Sequence, residues 1–185
     1  MASAPQNQQR EEENKQVIRE FFELLDQYEI ERMGQLLVSS TNYSFHPSGM
    51  PPLDWNGHKQ LLTAVTRAFA DLHHNIIDMV AEGNKVAVRM NVTGTHRSEF
   101  HGIRPSGRRL SLDEIAFITI VDGKITEGWI ISDRLSFMQQ IGALPADTEA
   151  HAKDGGGNTS ANSKDNSNYS PDDNNNNNIN NINND

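Results

Sequence analysis

Asp133 ends an apolar, strand-like run in which Trp129 and Ile131 alternate with it. Its carboxyl therefore sits at the edge of an apolar face. Desolvation there disfavours the charged form and raises the pKa. That suits a general acid/base working near neutral pH. If Asp122-Gly123 forms a two-residue hairpin, Glu114 falls diagonally opposite Asp133, and a second carboxylate pushes the same way. The same residues have a structural reading. Asp133-Arg134-Leu135-Ser136 also opens a helix, with Asp133 as its N-cap. Both readings stay open on pattern alone.

The chain has seven histidines and no cysteine. Disulfides and thiolate chemistry are thereby excluded. His73 and His74 alternate across a strand and cannot both face one pocket. His73 falls on the apolar side in the register expected for its hairpin, so it is taken as the inward one. His96 and His101 lack the helical i, i+4 spacing of a metal pair, and no metal site is expected. His46 follows Tyr43-Ser44-Phe45 on a short strand and is the other histidine of interest. No serine sits in a nucleophile-elbow setting. Arg104, Arg108 and Arg109 read either as a solvated loop or as an anion site.

The elements that would position these groups follow from periodicity. Glu11 to Gln27 carries Val17, Phe21, Leu24 and Leu25 at helical spacing. Ile30, Met33, Leu36 and Leu37 mark a second helical stretch, and Gly57–Phe69 a third. Tyr43–His46 is a short strand. The period then changes to two. His73–Ala81 and Val86–Thr95 flank Glu82-Gly83-Asn84-Lys85, a hairpin turn. With Glu82 paired to Lys85, Met79 would face Val88, Ile77 would face Met90 and Asn75 would face Val92. Leu110–Val121 and Ile125–Asp133 flank Asp122-Gly123; there Ala116 would face Trp129, Glu114 would face Ile131 and Leu112 would face Asp133. A last helix runs from Leu135 to Ile141, before Gly142 and Pro145. Helices segregated from an antiparallel sheet predict an α+β fold, with helices on one face. A bent sheet would leave a pocket between the two.

Hydrophobic residues make up 35% of the 185, and the deficit lies at the ends. Residues 1–10 are polar and expected to be a flexible N-terminus. Residues 11–145 form the domain. Residues 146–185 end in an Asn-rich tract that cannot bury enough apolar surface to order itself, although such a tract could serve assembly. The net charge of −9 argues against nucleic acid or an anionic membrane as partner. No apolar run suits a membrane span or a signal peptide, so a cytoplasmic protein is expected.

Three segments carry a resemblance. Val86-Ala87-Val88-Arg89 precedes Gly94-Thr95-His96. Next comes Glu99-Phe100-His101-Gly102-Ile103-Arg104-Pro105-Ser106-Gly107-Arg108. Asp122-Gly123-Lys124-Ile125 then leads through Glu127, Trp129 and Asp133 to Gln139-Gln140-Ile141-Gly142. Over residues 14–145 the order and spacing resemble the SnoaL-like polyketide cyclases, or ester cyclases, of the nuclear transport factor 2-like superfamily. Arg104 replaces the family's first loop Pro, Ser106 its Thr, and Gly128 a frequent His. The resemblance implies a cone-shaped barrel of bent antiparallel sheet closed by helices. It implies cofactor-free intramolecular aldol chemistry on a polyketide-like ester, and homodimers formed through the outer sheet face. Asp133 would be the acid/base, with His46 assisting. His73, Glu114, Trp129, Ile131 and Phe100 would surround the substrate. A non-catalytic ligand-binding or dimerisation module on the same fold is the alternative.

Overall fold

The computed structural model describes residues 4–39 and 42–145. The expected disordered tail lies outside them. Helix α1 (Ala4–Asp26) is followed by the short α2 (Ile30–Met33) and a 3₁₀ turn, Gly34–Leu36. Strand β1 (Ser44–Pro47), helix α3 (Trp55–Ala68), strands β2 (Phe69–Glu82), β3 (Lys85–His96), β4 (Arg109–Val121) and β5 (Lys124–Ser132), and helix α4 (Arg134–Gln140) complete the order. The fold is α+β, as expected. The strands line up as β1-β5-β4-β3-β2 in one open sheet, antiparallel except for β1, which runs parallel to β5.

Helix α1 starts at Ala4, ahead of the Glu11 start that the apolar periodicity predicts. Pro5 sits in the first turn, where its missing N–H costs no intrahelical bond. Gln and Glu residues then extend the helix, with Gln9 donating to Glu13 one turn on. Farther along, Ile18, Phe21, Phe22, Leu24 and Leu25 bury one face against the sheet. Two polar contacts fix the register of this docking. Asn14 Nδ2 donates to the Gly83 carbonyl, and Glu11 accepts from the Gly83 N–H. The β2–β3 turn is thus held from both sides by α1.

Both hairpin turns form as their residues dictate. Glu82 pairs with Lys85 and Val121 with Lys124. Asp122 and Gly123 both adopt positive φ, the geometry that matches strand twist in a two-residue loop. Val86, Val88, Met90 and Val92 of β3 and Leu110, Leu112, Ala116, Ile118 and Ile120 of β4 point to the helices. Away from the turns the expected pairing fails in β2 and in β5, for one shared reason. Each strand carries a β-bulge a few residues from its turn, at Ile77 and at Thr126. One extra residue reverses the facing of the residues beyond it, in β2 as far as a second irregularity between Ala70 and His73. In β2, Ile76 pairs with Met90 and His74 with Val92, so Ile76 and His74 replace Ile77, Asn75 and His73 on the inner face. In β5, Trp129 pairs with Phe117 and Ile131 with Ile115, on the outer face.

A candidate active site between the helices and the sheet

The inner face of the sheet and helices α1, α3 and α4 enclose a cavity of about 660 Å3. Its wall is mostly aliphatic and aromatic, with contributions from Phe22, Leu62, Leu72, Val92, Leu112 and Ile118. Phe69, Phe100 and Phe137 close one end as an edge-to-face cluster with centroids 5.3–5.8 Å apart. Phe100 arrives on the loop 97–107. That loop is anchored where the Ser106 N–H donates to Nδ1 of the fully buried His96.

Few polar groups face the cavity. Glu114 on β4 is half-buried in the wall, and Ser132 of β5, its cross-strand partner, donates to Glu114 Oε1 at 2.5 Å. Burial pushes the Glu114 pKa up, only partly offset by the Ser132 hydrogen bond and the nearby His74. His74 faces the same space from β2, its ring packed on Phe22. Its Nδ1 lies 2.6 Å from Oδ1 of Asp26, the last residue of α1, and its backbone N–H also donates to that carboxylate. Burial of Asp26 acts to raise its pKa. Hydrogen bonds from the His74 side chain and backbone, the His74 charge and the His73 hydrogen bond outweigh it and hold Asp26 below its ordinary value. An ionised Asp26 makes Nδ1 the protonated nitrogen of His74, which leaves Nε2 as the basic one.

A second polar pair lies in the α3 wall. Tyr43 Oη and His58 Nδ1 are 2.7 Å apart and both residues are buried. The His58 ring is stacked on Phe45 at 3.7 Å. Burial pushes His58 down to about 3 and raises the Tyr43 hydroxyl above its ordinary value. His58 therefore stays neutral while the unfolded chain takes up a proton below its ordinary 6.5. Native stability should fall as pH drops from 6.5 towards 3, by up to about 1.4 kcal/mol per pH unit from this group. Thermal melts across that range should show His58→Gln with a flatter profile than the parent. An equal slope would mean that His58 protonates in the native state.

Of the residues expected around a site, Glu114 and Phe100 line the cavity. Trp129 borders it beside Gly128 and Ile130, but it is 52% exposed, and its ring stacks on His46 at 3.9 Å. Ile131 is 66% exposed on the outer face. His46 points the same way, with Nε2 3.0 Å from Ser44 Oγ and 3.3 Å from Glu127. The His73 side chain is 64% exposed, whereas that of His74 is 7% exposed. Asp133 is exposed and caps α4, accepting from the Ser136 N–H at 2.9 Å; it is not part of the cavity wall. The bulges at Ile77 and Thr126 are the cause of the swaps in β2 and β5.

Sequence pattern does not single out Asp26, Tyr43, His58 or Ser132. Asp26 ends a helix 48 residues before His74, and nothing in spacing signals that contact. His58 follows Asp54, the N-cap of α3, and reads as an ordinary helix residue. Gly128 faces inward; a Cβ there would come within 3.3 Å of the Phe45 ring. The ring of Phe45, stacked on His58, fills that space. Among the described residues, no three His, Asp or Glu side chains are arranged to hold one metal ion, and no helix is long and apolar enough to cross a membrane.

Comparison with known proteins agrees with this architecture. IdmH from Streptomyces antibioticus, a candidate polyketide cyclase, is 26% identical, with a TM-score of 0.62 over 70% of this chain and 98% of its own. TsrD from Streptomyces laurentii is 25% identical, with a TM-score of 0.63 over 71% and 96%. AclR from Streptomyces galilaeus, a candidate hydroxylase, shares the fold at 24% identity and a TM-score of 0.67, over 73% and 99%. No curated protein matches the chain in sequence. The sequence model of the SnoaL-like polyketide cyclase family matches residues 15–141, and the chain belongs to that family.

Proposed function

We propose that the protein is a cofactor-independent cyclase whose acid/base groups are His74 and Glu114, not Asp133. The observation that carries this reading is the convergence of the Asp26–His74 pair and Glu114–Ser132 on one apolar cavity. His74 Nε2 removes a proton from the carbon between two carbonyls of a polyketide-like ester. The resulting enolate carbon attacks a second carbonyl carbon of the same molecule, and the electron pair of that C=O moves to its oxygen. Protonated Glu114 delivers its proton to this alkoxide. The imidazolium of His74 then returns a proton to the Glu114 carboxylate. Tyr43 and His58 supply polar contacts in an otherwise dry wall, where hydrogen bonds to developing charge are strong. The cavity folds one chain so that its reacting carbons meet, and proximity supplies much of the acceleration.

The test is turnover of linear β-keto esters, followed by mass-neutral ring formation. Asp133→Asn is expected to keep kcat within about threefold, because Asn retains the cap. Loss of turnover in Asp133→Asn would return the acid/base role to Asp133. Ligand binding without conversion in the parent protein would favour the non-catalytic module.

The working unit in this reading is a homodimer joined through the outer sheet face. Ile115, Phe117, Val121, Trp129 and Ile131 are all exposed there. Ile115 pairs with Ile131 and Phe117 with Trp129 across β4 and β5, so these side chains form one continuous apolar surface. A patch of this kind supports the interface reading.

A further inference from the structure

Among the described residues, Arg134 is the only permanently charged cation in the cavity wall, and Glu114 its only carboxylate. The two lie at different depths. Glu114 sits within the sheet, whereas Arg134 opens α4 and is exposed, alongside the rim residues Ser48, Met50 and His101. The guanidinium is held in place: Nη1 donates to the Ser48 carbonyl at 3.1 Å. Gly49, at φ +71°, lets it lie flat on the turn, because a Cβ there would come within 2.5 Å of Nη1. Among the described residues, no carboxylate pairs with Arg134, in a chain of net charge −9. The neighbouring Asp133 carboxylate is turned to the Ser136 N–H. A positioned, unpaired guanidinium at the mouth of an apolar cavity is a recognition element for an oxyanion.

We infer that Arg134 anchors an anionic group on the trailing end of the ligand, while the apolar end reaches towards His74 and Glu114. The oxyanion is either a free carboxylate on the substrate or the phosphodiester of a carrier arm to which it is still attached. The inference rests on the cavity being the substrate site.

Binding of three probes by titration calorimetry tests it: anthraquinone-2-carboxylate, its methyl ester, and octanoyl-phosphopantetheine with its phosphate capped as the methyl phosphodiester. In the parent protein at least one anionic probe should lose affinity as salt rises, and the ester should not. Arg134→Gln should weaken that anionic probe by at least about tenfold, the range of a charge-assisted pair. It should leave the ester within about twofold, and Arg134→Lys should recover part of the loss. Loss confined to the carboxylate identifies a free acid; loss confined to the phosphopantetheine identifies a carrier. Equal effects on ester and anions, or no effect on either anion, overturn the inference while the cavity reading stands. If no probe binds the parent protein, both fall.

Discussion

Glu114→Gln and His74→Gln are each expected to lower kcat by about 10²–10⁴, the range for loss of a positioned acid or base. Both substitutions keep side-chain volume and a hydrogen-bond donor, so a drop in rate reports lost proton transfer rather than a collapsed wall. Asp26→Asn should follow with a comparable loss. An amide at Asp26 no longer specifies that Nδ1 carries the proton, and Nε2 ceases to be the basic nitrogen facing the cavity. The pH profile separates the two groups. Burial raises the Glu114 pKa, so its acid form, and with it kcat/KM, should fail as pH rises through that raised value. The same raised pKa stabilises the native state below the ordinary 4.5, a contribution lost as pH climbs. Glu114→Gln should therefore gain thermal stability relative to the parent at alkaline pH and not at pH 4. Stopped assays over pH 4–9 and matched melts check both statements. Unchanged kcat in Glu114→Gln would remove it from the mechanism.

The second large effect concerns assembly. Phe117→Asp is expected to weaken self-association by at least about 100-fold, as loss of a central aromatic anchor does. The new carboxylate would face Trp129 across the strand pair in both copies at once. Sedimentation equilibrium should give a dimer for the parent and a monomer for the variant at the same concentration. The thermal midpoint of the isolated monomer should barely move, because Phe117 lies opposite the core. A parent protein that sediments as a monomer would dismiss the interface.

The sequence carried the elements far better than it carried the site. Helix faces such as Ile18–Phe21–Leu25 and turns such as Asp122-Gly123 are local features, and local rules read them correctly. Glu114 also pointed inward as expected, since β4 runs without a bulge. The misplacements in β2 and β5 share a cause. A bulge needs no special residue, and Ile77 and Thr126 look like ordinary strand positions. Once they are overlooked, strict alternation assigns His73 in place of His74 and turns Trp129 and Ile131 inward. The capping role of Asp133 was legible, because an Asp three residues before a backbone N–H that needs a partner is again local. The contacts Asp26–His74 and Tyr43–His58 join distant segments, and only the packed fold shows them.

The two bulges also bear on how such a cavity changes its chemistry. A bulge that migrates one position along its strand turns one side chain from solvent to interior and sends its neighbour out, with no residue replaced. In β2 the two histidines stand side by side, and Asp26 already contacts both of them. A shift of the irregularity past that pair would offer His73 to the ligand and withdraw His74. Strand slippage is thus a route to new activity that point substitution does not sample, and single-residue insertions or deletions near Ile77 and Thr126 are the libraries that would explore it.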